Sequence, residues 1–313
     1  MEFRNLGKSG LKVSIAGLGC NNFGARCDAD QTRAVVHHAL DEGITLFDTA
    51  DWYGNQGGSE ELLGRALGRR RHIIVLATKF GMAMGDGPYL HGASRRYIMN
   101  ACEASLRRLN TDYIDLYQIH FPDPETPQQE TLEAFDTLVK SGKVRYIGCS
   151  NLASWQLADA LWISRSEGLA SYISAQNQYN LLDRSIEREL IPACAHFGVG
   201  VLPYFPLASG FLTGKYRHGV EPPKGTRMAT MQRIADQTLN EANFEILDGL
   251  RKFADSRGHG MVELAVSWLL ARPEVASVIS GATRPEQVTE NVKAVGWKLS
   301  AEEMAEIDKL TRR

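Results

Sequence analysis

Short apolar runs alternate with amphipathic stretches along almost the whole chain. Eight runs read as strands: VSIAGLG (13–19), ITLF (44–47), IIVLAT (73–78), YIDLYQI (113–119), VRYIGC (144–149), YISA (172–175), VGVLP (199–203) and VASVIS (275–280). Between them apolar positions recur at helical spacing over about 30–42, 59–67, 94–109, 128–141, 154–167 and 186–196. The second of these helices is expected to start with Ser59 as N-cap and Glu60 and Glu61 in its first turn. Residues 285–295 continue as a helix, and 299–310 form a last one, where Ser300 with Glu303 makes a capping box. Ahead of the first strand, Phe3 to Lys12 predicts a hairpin around Ser9–Gly10.

Eight strands alternating with helices predict a parallel sheet. The runs are apolar on both faces, as strands covered on both sides require. Right-handed crossovers leave an open doubly wound sheet or a closed cylinder. Eight even units favour closure, so the expected fold is α/β, a (β/α)8 TIM barrel. It would be one domain over residues 1–313, with a short N-terminal hairpin and extra helices near the C-terminus. Two segments break the rhythm, the Gly-rich 82–92 and the long stretch from about 205 to 240. Both follow strand C-terminal ends and are expected to roof the same face.

Composition narrows the function classes. The 313 residues are 43% hydrophobic and 23% charged, with net charge −2. That balance excludes a general nucleic-acid or anionic-membrane surface. The five cysteines form no CxxC pair and read as reduced thiols of a cytoplasmic protein. No signal-like N-terminus and no apolar stretch of spanning length are present, so neither secretion nor a membrane span is expected. A helical outer surface permits monomers or rings.

Six apolar runs lead into a polar residue suited to chemistry or to gripping a cofactor: Asp48, Lys79, His120, Ser150, Gln176 and Tyr204. In a parallel sheet all six arrive at one edge. Asp48, Tyr53, Lys79 and His120 make sense together. A lysine ammonium near a tyrosine stabilises the phenolate and lowers its pKa. An aspartate keeps that lysine charged. The tyrosine can then give a proton to a carbonyl oxygen that His120 positions, while hydride reaches the carbon. No side chain supplies hydride, so a cofactor is required. In isolation each residue has a duller role: a turn cap, a packing aromatic, a solvated charge, a structural histidine. Four such coincidences at the ends of barrel strands are a poor account.

Cofactor anchors are expected at the later strand ends. Ser150, Asn151 and Gln176 offer a hydroxyl and amides for a carboxamide, and Tyr204 could stack a planar ring. PLASG (206–210) allows close backbone approach, with Lys215 near enough to meet a diphosphate. GATRPEQVTEN (281–291) opens a helix after the eighth strand, where barrels commonly hold phosphate. Arg284 could fork onto a 2′-phosphate, with Thr283 adding a hydroxyl, which favours NADP over NAD. GLGCNNFG (17–24) fails as a dinucleotide fingerprint because Asn22 stands where the third glycine belongs. No HExxH, Cys/His cluster or GxSxG elbow is present.

The blocks FDTADWYG (47–54), ATKFG (77–81), HFPDP (120–124), GKVRYIGCSN (142–151), QNQYN (176–180), PLASGFLTGKY (206–216) and GATRPEQVTEN resemble, in order, those of the aldo-keto reductases. The similarity is to the branch that includes potassium-channel β subunits and many bacterial reductases. It implies an eightfold barrel that binds NADP(H) without a Rossmann domain and reduces aldehydes or ketones. Tyr53 then resembles the proton donor, Lys79 and Asp48 its tuning pair, and His120 the carbonyl-orienting group. Ser150, Asn151 and Gln176 resemble carboxamide ligands and Tyr204 the stacking ring. Phe205, Pro206, Leu207 and Gly210 line the cofactor path, and Lys215 and Arg227 look like diphosphate contacts. Gly281, Thr283, Arg284, Gln287, Glu290 and Asn291 look like the adenosine end. Phe121 replaces a common tryptophan and Phe205 a frequent serine, which alters pocket shape and leaves only a backbone contact at 205. Trp52, Phe80, Tyr89 and Phe121 are expected around the substrate mouth. Two rival functions are a redox-sensing subunit that binds NADP(H) and turns over slowly, and a cofactor-free isomerase or lyase acting on sugar phosphates.

Overall fold

The chain first reverses on itself. Phe3–Asn5 (β1) and Lys12–Ser14 (β2) pair antiparallel, Phe3 opposite Ser14, as the hairpin reading expects. The computed structural model, which describes residues 1–311, then runs into eight parallel strands. These are Ala16–Gly19 (β3), Leu46–Asp48 (β4), Val75–Phe80 (β5), Ile114–Ile119 (β6), Val144–Ser150 (β7), Tyr172–Gln176 (β8), Gly200–Val201 (β9) and Val278–Gly281 (β10). Each pairs with its neighbour in sequence, and β10 returns to β3. Val201 closes the remaining gap: its N–H donates to the Glu274 carbonyl at 2.8 Å and its own carbonyl accepts from Ala276 at 3.1 Å. The result is the expected (β/α)8 barrel.

The helices are Ala29–Asp41 (α1), Tyr53–Leu67 (α2), Arg95–Leu109 (α3), Gln128–Lys140 (α4), Ser154–Glu167 (α5), Leu190–Phe197 (α6), Arg227–Thr230 (α7), Gln232–Thr238 (α8), Glu241–Asp255 (α9), Met261–Leu270 (α10), Pro285–Lys293 (α11) and Ala301–Thr311 (α12). The roofing stretch after β9 thus carries α7 and α8, while 82–92 has no helix or strand. Ser300 and Glu303 cap α12 reciprocally, as read from sequence.

Two layers of apolar side chains hold the barrel. Inside it, Leu46, Val75, Ala77, Leu116, Leu202 and Ile279 pack with Leu6 and Val13 of the hairpin, which plugs the bottom. Each such buried aliphatic contributes roughly 1.5–3 kcal/mol. The hairpin comes so close that a Cβ on Gly7 would lie 2.4 Å from the Gly198 carbonyl oxygen. Outside the sheet, Phe80, Tyr117 and Phe135 pack edge-on and tilted beneath α3 and α4.

Four local expectations change. VSIAGLG splits at Ile15, its first part belonging to the hairpin and only Ala16–Gly19 to the barrel. Ser59 does not cap a helix; its hydroxyl is buried, donating to the Cys20 carbonyl at 2.8 Å. Helix α2 opens at Tyr53 with a left-handed stretch from Gly54 to Gly57 and becomes a regular helix only after it, close to the expected start. Residues 186–196 shorten to α6, because Glu187 is held by Arg184 and Tyr179 in a separate turn. VGVLP keeps only two strand residues; Pro203 has no N–H to extend the ladder.

Candidate active site

Period-two alternation decides which strand residues enter the barrel. On β5, Val75 and Ala77 face inward, so Lys79 does too; Phe80, one residue on, faces the helices. The same parity brings in Asp48 after Leu46 and Gln118 after Leu116. A polar layer therefore caps the apolar interior at the C-terminal ends of the strands. Lys79 is fully buried and donates to Asp48 Oδ2 at 2.6 Å and to the Thr49 carbonyl at 2.9 Å. Asp48 Oδ1 accepts from Gln176 Nε2 at 2.9 Å and Gln118 Nε2 at 3.3 Å. A buried ion pair stabilises only when its spare lone pairs are satisfied in this way.

Tyr53 and His120 complete the group. The Lys79 ammonium lies 5.1 Å from the Tyr53 ring centre, and the His120 ring meets that phenol edge-on at 5.6 Å. Burial drives the Tyr53 phenol above its ordinary value; Lys79 pulls it down and Asp48 pushes it up, and the net direction is upward. Sequence reasoning expected lysine to lower it. Desolvation is the larger effect here, so the phenol is firmly protonated at neutral pH. For Lys79, burial works against the charge, but Asp48 and Tyr53 outweigh it and the ammonium is held above its usual range. Burial and then the Lys79 charge push His120 down to about 3, so its imidazole is neutral. Its Nδ1 is buried without a partner among the described residues.

The turn that presents Tyr53 is left-handed. Gly54, Asn55 and Gln56 all have φ between 60° and 69°. Asparagine and glutamine adopt this conformation at a cost of about 1–3 kcal/mol each, usually where function demands it. A Cβ on Gly54 would lie 2.4 Å from the Phe23 carbonyl oxygen and 2.5 Å from the Ser59 nitrogen. Gly54→Ala should therefore lower the unfolding free energy by about 1–3 kcal/mol, measurable by urea denaturation.

The other expected residues lie as follows. Asn151 is committed within the protein: its amide donates to the His120 carbonyl and Ser150 Oγ, both at 3.0 Å, and its oxygen accepts from the Tyr204 hydroxyl at 2.8 Å. Gln176 spends its amide N–H on Asp48. Ser150 is buried at the end of β7. Phe205, with φ 52°, follows Tyr204, and its carbonyl is held by Asn180. Pro206 and Leu207 follow it, and Lys215 comes close to Gly210. Arg227 stands over the Phe205 ring at 5.2 Å. At the start of α11, Gln287 Oε1 accepts from the Thr283 N–H at 2.8 Å, and Arg284 is exposed, 3.7 Å from Glu286. Gly281 and Glu290 are also exposed, and Asn291 is buried. Trp52, Tyr89 and Phe121 are exposed on the loops after β4, β5 and β6. Phe80 does not join them, because its parity places it in the helix-side core.

Sequence reasoning missed Gln118, Thr49 and Arg26. Gln118 carried a signal, being a polar residue at an inward position of an apolar run. Arg26 reaches across from the β3–α1 loop to the Gly225 carbonyl at 2.8 Å. Among the described residues no group of His, Cys, Asp or Glu could hold a metal, all five cysteines are buried and free, and no helix is long and apolar enough to cross a membrane.

Proteins similar in sequence match this chain over nearly their whole length. A plant protein from Arabidopsis thaliana, "Probable voltage-gated potassium channel subunit beta", is 37% identical over 94% of this chain and 91% of its own. "L-glyceraldehyde 3-phosphate reductase" of Escherichia coli is 37% identical over 98% and 92%. "Versiconal hemiacetal acetate reductase" of Aspergillus parasiticus is 35% identical over 97% and 95%. The profile of the Aldo/keto reductase family matches residues 16–312. With its eight-stranded barrel and a lysine–aspartate pair sealed at the strand ends, this chain belongs to the aldo/keto reductase family.

Proposed function

We propose that this oxidoreductase reduces an aldehyde or ketone to an alcohol with NADPH, Tyr53 acting as proton donor. The observation that carries the reading is the buried group of Asp48, Lys79, Tyr53 and His120 at one end of the barrel. The protonated phenol holds the proton that a carbonyl oxygen needs as it gains charge. As that proton leaves, the Lys79 ammonium stabilises the phenolate left behind, and Asp48 keeps the ammonium in place. Neutral His120 has one ring N–H to give, enough to fix the carbonyl oxygen. Bound NADPH supplies the hydride.

The residues present suit that cofactor. Burial, and then the charge of Arg26, depress the Arg227 value; Arg26 donates to the Gly225 carbonyl and Arg227 stands over the Phe205 ring. Two guanidiniums near enough to feel each other's charge suit a diphosphate. Ser150, Asn151 and Gln176 would lie at the carboxamide end, Tyr204 against its ring, and Phe205, Pro206, Leu207, Gly210 and Lys215 along the path. Gly281, Thr283, Arg284, Gln287, Glu290 and Asn291 would receive the adenosine. Arg284→Ala should weaken NADPH binding by about 1.5–3 kcal/mol and leave NADH binding unchanged, as fluorescence titration would show. Equal losses for both would remove Arg284 as the 2′-phosphate contact. The buried free cysteines suit a reducing cytoplasm.

The test of the whole reading is a panel of carbonyl compounds assayed by loss of NADPH absorbance; no turnover on any of them would overturn it. The similarity to a plant potassium-channel subunit beta supports a second reading, a regulatory subunit that binds NADP(H) and turns over slowly. A co-purifying partner with negligible reduction of every compound would favour that one.

A further inference from the structure

Two residues before Tyr53, Asp51 is 1% exposed, and neither carboxylate oxygen has a hydrogen-bond donor in good geometry among the described residues. Its surroundings are Glu60 of α2, Tyr97 and Arg108 of α3, Tyr117 of β6 and the Trp52 N–H. Arg108 is already engaged, its Nε donating to Glu60 Oε2 at 2.7 Å, and Glu60 Oε1 accepts from Thr78 at 2.6 Å. An ionised Asp51 would be a second, uncompensated anion in this closed space, which costs several kcal/mol. The carboxyl therefore keeps its proton; burial first, then the Glu60 charge, push its value up to about 8.

A neutral carboxyl has an O–H to donate. The neighbouring Tyr97 hydroxyl gives its own proton to the Met82 carbonyl at 3.4 Å and, like any hydroxyl, can still accept one. Met82 opens the 82–92 loop, which closes through Met84 N–H to Leu90 carbonyl at 2.9 Å and Gly92 N–H to Gly81 carbonyl at 3.0 Å. On the other side, the Asp51 N–H donates to the Lys79 carbonyl at 2.9 Å.

We propose that Asp51 and Tyr97 are positioning residues: the Asp51 acid donates to Tyr97, fixes its hydroxyl on Met82, and so pins the 82–92 loop to the segment that carries Tyr53. That this loop roofs a substrate mouth rests on the reductase reading; the clamp itself does not. Once ionised, Asp51 accepts the Tyr97 proton instead, and Met82 is released.

Hydrogen exchange over residues 84–90, corrected for the intrinsic effect of pH, tests this without any substrate. In the native protein these amides should lose about tenfold in protection as pH rises through about 8, the equivalent of one hydrogen bond. Asp51→Asn, whose amide N–H donates as the acid does, should keep the protection flat, and Tyr97→Phe should show the low value at every pH. With 4-nitrobenzaldehyde and NADPH, Tyr97→Phe should raise KM about tenfold and change kcat by less than about threefold. Unchanged exchange in Tyr97→Phe, the same pH dependence in Asp51→Asn as in the native protein, or a loss confined to kcat would each overturn the clamp. The expected exchange pattern without reduction of any carbonyl compound would keep the clamp and remove the reductase reading.

Discussion

Tyr53→Phe is expected to lower kcat by about 100- to 10,000-fold while NADPH still binds with its fluorescence change intact. The loss is that of a positioned general acid. Phenylalanine keeps the ring that His120 meets edge-on at 5.6 Å and removes only the hydroxyl that answers to Lys79. Binding should survive, because the expected cofactor contacts, from Ser150 to Asn291, lie on other strands and loops. Since burial holds the Tyr53 proton on above the ordinary phenol value, native activity should not fall on the acid side through this group. His120, pushed down to about 3, adds no acid limb near neutrality either. Stopped-flow mixing with NADPH separates binding from turnover. Full activity in the variant would remove Tyr53 as the donor.

Lys79→Met should be the most damaging change to the fold, lowering the unfolding free energy by about 3–5 kcal/mol and abolishing turnover. Asp48 would then stand buried with only two amide donors, from Gln118 and Gln176. Adding Asp48→Asn should return most of the lost stability, since no bare charge remains, but none of the activity. Denaturation of the two variants in urea distinguishes this from a simple packing defect, in which the second change would not compensate. The sign with pH is also set. Folding raises the Lys79 value, so its stabilisation is complete below the unfolded value of about 10.4 and is lost as pH rises from there through the higher folded one. The Lys79 charge itself therefore adds no pH dependence to stability across the neutral range.

Much of the site was legible because strand ends converge. Asp48, Lys79 and His120 each terminate an apolar run, and parallel strands bring such residues to one rim whatever the details of packing. Partner choice was not legible. Gln176 and Asn151 have the amides that a carboxamide would need, yet the structure commits their N–H groups to Asp48, Ser150 and the His120 carbonyl. Which donor meets which acceptor depends on register between strands far apart in sequence. Phe80 shows how fine that dependence is, since one step of parity moves it from the mouth to the helix-side core.

The amino-acid order alone determined the alternation of strand and helix, the closure into eight units and the residue types at the rim, because hydrophobic period and segment length are local properties. Only the tertiary structure decided the direction of the Tyr53 shift, the burial of the Asp51 carboxyl beside Glu60 and the left-handed turn from Gly54 to Gln56. Those are consequences of desolvation and close approach, which exist only once distant segments exclude water from one another.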